Sequence, residues 1–204
     1  MKVTRYFQSC LLIEEGRARI LIDPTAHDKD KLDKIGKLDA VLYTHEHGDH
    51  FDAGMAEKFA NDGVPVYANA STAKHINASK TVVRDGQEFE IAGVKIKALE
   101  LPHCLFWDGS KSAQNTGYLV AEKLFHPGDG KELAGLKVDI IALPINGPDI
   151  SILDAFNFAK QLGAKTILPI HYDYLGGNPE VFDDIGRGMG FTTHPLAMGE
   201  SADL

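Results

Sequence analysis

The stretch His45-Glu46-His47-Gly48-Asp49-His50 places four candidate metal ligands within six residues. Imidazole nitrogens and carboxylate oxygens suit zinc, manganese or iron, and no thiolate is required. A loop can wrap such side chains around more than one ion. His45 and His47 can serve one cation while Asp49 and His50 serve its neighbour, with Gly48 expected to free the backbone for the bend. Two ions need further ligands, and the chain offers three. His103 stands in Leu101-Pro102-His103-Cys104, Asp129 in His126-Pro127-Gly128-Asp129, and His171 in Pro169-Ile170-His171-Tyr172. A carboxylate at Asp129 can bridge two cations roughly 3.5–4 Å apart and offset their repulsion. Taken singly, a histidine is more often a hydrogen-bonded or exposed residue, and an aspartate in Pro-Gly-Asp-Gly is an ordinary turn. The H-x-H-x-D-H run is what turns these isolated residues into one expected centre.

The elements that must carry them are legible as short apolar runs. Ala18 to Ile22, Ala40 to Tyr43, Ile140 to Leu143 and Thr166 to Leu168 read as buried strands. Val94, Ile96 and Ala98 alternate with lysines, as in a strand with one wet face, and Asn115 to Ala121 is a further strand. His103 follows the Val94-to-Leu101 strand, Asp129 follows Leu124-Phe125, His171 follows Ile167-Leu168, and the His45 loop follows Ala40 to Tyr43. If the strands share sheets with the same edge outward, the ligands meet on one rim. Helices are expected after three caps: Asp52, Ser151 with Asp154 three residues on and Gly163 as its stop, and Asn178 followed by Pro179. The apolar stripes expected on the last two are Ile152, Ala155, Phe156 and Ala159, and then Phe182 and Ile185. A strand-rich first part and a mixed remainder suggest sheet layers covered by helices.

The 204 residues fit one domain, residues 1–204. A formal net charge of -8 argues against a nucleic-acid or anionic-membrane partner. Two cysteines, Cys10 and Cys104, make no disulfide framework, and the N-terminal run is broken by Glu14 and Glu15, so a cytoplasmic location is expected. The oligomeric state is not written in the sequence.

Together these residues resemble the metallo-β-lactamase-fold hydrolase superfamily. The resemblance covers nearly the whole chain, from Leu21-Ile22-Asp23-Pro24 through Thr44-His45-Glu46-His47-Gly48-Asp49-His50, His103 and Gly128-Asp129 to His171. It implies a four-layer αβ/βα sandwich with the site at its rim. It further implies that His45, His47 and His103 bind one metal, that Asp49, His50 and His171 bind a second, and that Asp129 bridges. Within the superfamily, Asp49-His50-Phe51-Asp52, Leu143-Pro144-Ile145-Asn146-Gly147 and Pro169-Ile170-His171-Tyr172 resemble the branch of L-ascorbate 6-phosphate lactonase. Phe7-Gln8-Ser9-Cys10 departs from it, standing where a Gly-His pair often sits.

The implied enzyme is a metal-dependent hydrolase with two divalent ions, zinc first and manganese or iron next. A hydroxide held between them would cleave an ester, a lactone or similar small polar substrate. Asp49 would orient that hydroxide and shuttle a proton. Asp23 matches a family aspartate near the metals, and Asn146 and Tyr172 are candidate contacts to the oxyanion or leaving group. Leu105, Phe106 and Trp107 either wall the pocket or pack beneath their own loop. His126 reads as a core histidine; His27, His75 and His194 read as surface or structural residues. Competing readings on the same fold are a phosphodiesterase or nuclease, a thioester hydrolase, a di-iron redox protein and a non-enzymatic metal-binding regulator.

Overall fold

A computed structural model describes residues 1–174 and 176–204 of the chain. The first strands are β1 (Lys2–Arg5), β2 (Leu11–Glu15), β3 (Ala18–Ile22), β4 (Ala40–Tyr43), β5 (Val66–Ala68) and β6 (Thr81–Val82). Next come β7 (Glu88–Ile91), β8 (Val94–Glu100), β9 (Thr116–Val120), β10 (Leu124–His126), β11 (Ile140–Pro144), β12 (Thr166–Ile170) and β13 (Thr192–Thr193). The last strand, β14 (Ser201–Asp203), pairs antiparallel with β1. The α-helices among the described residues are α1 (Lys29–Leu32), α2 (Ala53–Asn61), α3 (Ile152–Leu162) and α4 (Pro179–Gly188). One sheet runs β14-β1-β2-β3-β4-β5-β6 and the other β13-β12-β11-β10-β9-β8-β7.

The layering follows from strand periodicity, which sends alternate side chains to opposite faces. Leu11, Ile13, Ile20, Ile22 and Leu42 of the first sheet meet Ile96, Ala98, Tyr118, Val120 and Leu168 of the second in one buried cluster. Their neighbours Leu12, Leu21, Val41 and Tyr43 point the other way, onto Leu32 of α1 and Met55, Ala56 and Phe59 of α2. On the far side Phe125, Ile141, Leu143 and Ile167 pack on Phe156, Phe158, Ala159 and Leu162 of α3 and on Phe182 of α4. Three apolar layers between four structural ones make an αβ/βα sandwich, the architecture the resemblance implied. Both faces of β4 and β11 are buried, which is why they read as unbroken apolar runs.

The helix caps stand where the sequence places them. Asp52 accepts from the Met55 amide at 2.7 Å, Ser151 and Asp154 form a capping box with Gly163 left-handed at the end, and Asn178 accepts from the Val181 amide at 3.0 Å. The apolar stripes differ in detail. Ile152 is exposed at the start of α3, where Phe158 takes the buried place. In α4 Ile185 is exposed and Gly186 is buried instead. A Cβ on Gly186 would lie 2.8 Å from Thr193 Cγ2, so this helix sits too close to β13 for a larger residue on that face. No helix among the described residues is long and apolar enough to cross a membrane.

Candidate metal centre

The expected ligands converge, though not from one sheet. The loop carrying His45, His47, Asp49 and His50 leaves β4 of the first sheet, whereas His103, Asp129 and His171 follow β8, β10 and β12 of the second. The ligands therefore meet on one rim, where the two sheets come together. Cross-sheet bonds pin that rim, with the Thr116 amide donating to Thr44 O at 3.0 Å and Tyr118 Oη donating to Tyr43 O at 2.9 Å.

Asp129 stands at the centre, almost fully buried. Its Oδ2 faces one group, 3.5 Å from His103 Nε2 and 4.0 Å from His45 Nε2. Its Oδ1 faces another, 3.0 Å from His50 Nε2 and 3.2 Å from His171 Nε2. Asp49 Oδ2 completes the second group, 3.2 Å from His171 Nε2. Ligand atoms of His45, His47 and His103 lie within 4.8 Å of one another, as do those of Asp49, His50 and His171. One carboxylate thus presents a separate oxygen to each of two ligand sets.

Main-chain carbonyls and one carboxylate set the tautomers. A carbonyl only accepts, so His103 Nδ1 donates to Cys104 O at 2.6 Å and His171 Nδ1 donates to Asn146 O at 2.6 Å. His50 Nδ1 donates to Asp23 Oδ2 at 2.8 Å. In each neutral ring Nε2 is left as a lone pair aimed inward, the arrangement a metal-binding imidazole needs. His50 Nε2, His171 Nε2 and Asp129 Oδ1 are buried with no hydrogen-bond partner from outside this cluster. Buried polar atoms of this kind are costly unless something satisfies them, and a cation between them would. The donor set and these orphaned atoms fit two divalent ions.

Electrostatics in the metal-free centre follow the same geometry. Burial alone would lower His171, but the Asp129 carboxylate and the bond to Asp49 outweigh it and raise the ring to about 9. His50 is raised too, its burial overcome by Asp129 and Asp23. Burial would raise Asp49 and Asp129, yet the two imidazoles hold both well below the usual carboxylate range. His45 and His47 are lowered, first by burial and then by neighbouring rings.

Asp23 is fully buried and reaches this network through His50 and Thr44. Its carboxylate accepts from the Thr44 amide at 2.8 Å and from Thr44 Oγ1 at 2.7 Å. In Asp23→Asn, an amide oxygen kept on the Thr44 amide turns the NH2 toward His50 Nδ1. The ring must then carry its proton on Nε2, facing the centre. A fluorescent chelator competition should show metal affinity weakened about 10–100-fold.

Several positions differ from expectation. Gly48 is not among the glycines with positive φ, and a Cβ there would meet nothing within 4 Å. The glycine the centre requires is Gly128, with φ 59° and a Cβ position 2.2 Å from Asn115 Oδ1. Gly128→Ala combines backbone strain with overpacking and should cost about 2–4 kcal/mol in denaturant unfolding, while Gly48→Ala should cost under about 0.5 kcal/mol. Tyr172 is corrected as a substrate contact: its hydroxyl donates to Leu196 O at 2.7 Å and its ring lies under the Arg5 guanidinium. Asn146 acts through its backbone, on His171, and its Oδ1 accepts from the Gly147 amide at 2.9 Å. His126 is the core histidine expected, fully buried, donating from Nε2 to Ser9 O at 2.8 Å and accepting from the Gly128 amide at 3.2 Å.

Sequence reasoning missed Gln8. It is fully buried with φ 56°. Its Nε2 donates to Asp49 Oδ2 at 3.3 Å, its Oε1 accepts from the amides of Asp173 and Tyr174, and its carbonyl accepts from the His171 amide. Its place in the segment that departs from the lactonase-like branch was the only available signal. Ser112, also missed, holds one ring nitrogen of His47 at 3.2 Å.

A cavity of about 480 Å³ opens onto the ligands. Phe106 and Trp107 line it, whereas Leu105 faces a neighbouring depression. His27, read as a surface or structural residue, also lines the cavity and stacks on Phe7 at 4.4 Å. Cys104 is buried beside His103; burial and the Asp129 charge push its thiol up, so it is not an oxidation-prone thiolate.

A family model described as a beta-lactamase superfamily domain matches residues 2–171. Protein Rv0786c of Mycobacterium tuberculosis is 30% identical over 178 residues, 84% of each chain. A UPF0173 metal-dependent hydrolase of Rubrobacter xylanophilus is 27% identical over 219 residues, 93% of this chain and 90% of its own. The metallo-beta-lactamase fold protein YhfI of Bacillus subtilis superposes with a TM-score of 0.77 at 17% identity, over 98% of each chain.

Proposed function

This chain belongs to the beta-lactamase superfamily and is a metal-dependent hydrolase, and we propose that it opens a lactone or a similar small carboxylic ester. The observation that carries the proposal is the bridging position of Asp129 between two complete ligand sets. His45, His47 and His103 would hold one divalent ion, and Asp49, His50 and His171 the other. Bound there, two such ions acidify water and polarise a carbonyl. The net reaction adds one water: its hydroxyl goes to the acyl carbon, its remaining proton to the ring oxygen, and the acyl C–O bond breaks.

Asp49 is the residue placed to handle that proton. It lines the cavity with its side chain 25% exposed, and Gln8 Nε2 donates to its Oδ2. Its carboxylate can orient the attacking water and pass the proton on. Asp23, Cys104 O and Asn146 O keep the rings from rotating. A phosphodiester is less favoured because no Lys or Arg stands among the described residues lining the cavity to supplement the metals on its charged oxygens. The lactonase-like motifs in the sequence support the ester reading, and zinc is the proposed metal on its donor set.

The experiment is metal content by plasma mass spectrometry with hydrolysis of lactones, carboxylic esters and phosphodiesters. About two equivalents of metal and lactone turnover abolished by a chelator are expected. Turnover that survives complete metal removal, or a phosphodiester as the preferred substrate, would overturn the proposal.

A further inference from the structure

The cavity beyond the ligands has a chemistry of its own. Its walls come from Phe106, Trp107, Pro148, Tyr174 and His27. Trp107 is 75% exposed, Tyr174 68% and Phe106 41%. Large aromatic faces left in water around one concave site are surface that a ligand would cover. A volume near 480 Å³ suits a small molecule rather than a polymer.

No Lys or Arg is among the described residues lining this cavity. Arg5 is buried against Asp173, Lys131 pairs with Asp149 at 2.8 Å, and Lys111 lines the neighbouring depression with Leu105 and Ser112. An anionic tail lying against these walls would find no opposite charge from a described side chain.

We propose that this cavity selects a neutral substrate carrying a flat apolar substituent, an aryl group above all, which stacks on Phe106, Trp107 and Tyr174 while the hydrolysable carbonyl faces Asp49 and Asp129. This rests on the ester-hydrolase reading and replaces the small polar substrate expected from sequence with one that is polar only at its reacting end. Sugar phosphates are thereby excluded as good substrates.

The test uses γ-butyrolactones that differ only in the γ substituent: phenyl, hydroxymethyl or phosphomethyl. With the metal-loaded protein, kcat/KM for the phenyl lactone should exceed the other two by at least about tenfold. Trp107→Ala or Tyr174→Ala should lower it about tenfold, and both substitutions fall on exposed side chains. Binding is read separately, because Trp107 is the single tryptophan of the chain. The phenyl-substituted lactam, titrated into chelator-treated protein, should change Trp107 fluorescence saturably, and the hydroxymethyl lactam should not. If no lactone is turned over but the phenyl lactam binds, the lactonase reading falls and the pocket assignment stands. If the hydroxymethyl or phosphomethyl lactone is turned over at least as well as the phenyl compound, the pocket assignment falls and the lactonase reading stands. An unresponsive Trp107 would also overturn the pocket assignment.

Discussion

Asp129→Asn is expected to yield a folded protein that retains less than one equivalent of metal and hydrolyses its substrate at least about 10³-fold more slowly. The carboxylate touches both ligand sets, with Oδ2 toward His45 and His103 and Oδ1 toward His50 and His171. Asparagine keeps the shape but removes the charge that offsets two neighbouring cations, and it turns an NH2 toward at least one set of imidazole lone pairs. Losing the charge stabilisation that a two-metal site supplies, several kcal/mol at the transition state, corresponds to that loss of rate. The metal-free fold should lose stability yet persist, since the charge that holds His50 and His171 is gone but an amide NH2 can still donate to a buried imidazole nitrogen. Circular dichroism and plasma mass spectrometry on one preparation separate the two effects. Two retained equivalents of metal in this variant would remove Asp129 from the bridging role.

Stripping the metals should make stability strongly dependent on pH, with a maximum near about pH 6.5, because His45 and His47, held below their ordinary value by burial, destabilise the fold as pH falls further. In the chelated protein the buried imidazoles and carboxylates hold one another through protons. His171 has an ordinary value of 6.5 that its carboxylate neighbours raise to about 9. Its contribution is complete below about pH 6.5 and is lost as pH rises through about 9, on the order of 3 kcal/mol for a shift of that size. His50, raised by the same partners, acts in the same direction. Asp49 and Asp129 are depressed from an ordinary value of 3.8. They contribute above that value, and their share is lost as pH falls below it. Metal should compete with the protons on the imidazoles. Adding zinc to weakly buffered apoprotein at pH 7 should therefore release protons, visible with an indicator dye, and should flatten the alkaline limb of the melting curve. A chelated protein whose melting temperature does not fall between pH 6.5 and 9 would show that these rings carry no raised affinity for protons.

Much of this centre is legible in the amino-acid sequence. Ligand identity is a property of residue type, so His45, His47, Asp49, His50, His103, Asp129 and His171 can be named from their chemistry and from the apolar runs before them. Apolar runs also mark β3 and β4 as buried strands, and the caps at Asp52, Ser151 and Asn178 mark helix starts through purely local hydrogen bonds.

Tertiary structure decided the rest, for identifiable reasons. The orientation of His103 and His171 depends on the carbonyls of Cys104 and Asn146, and every residue has a carbonyl, so no residue type signals it. Gln8 lies 41 positions from Asp49 and 165 from Asp173, and its role exists only once β1 and β12 bring their following loops together. Gly128, not Gly48, is the position with no room for a side chain, because crowding by Asn115 and Thr44 is a property of packed neighbours. The cavity wall joins His27, Trp107, Pro148 and Tyr174 from separate loops, and their type alone does not distinguish a pocket wall from a residue packed beneath its own loop. Sequence determined what chemistry this protein can hold, because donor atoms belong to single residues. The fold determined which way each donor points and what may approach it, because those depend on contacts between segments far apart in the chain.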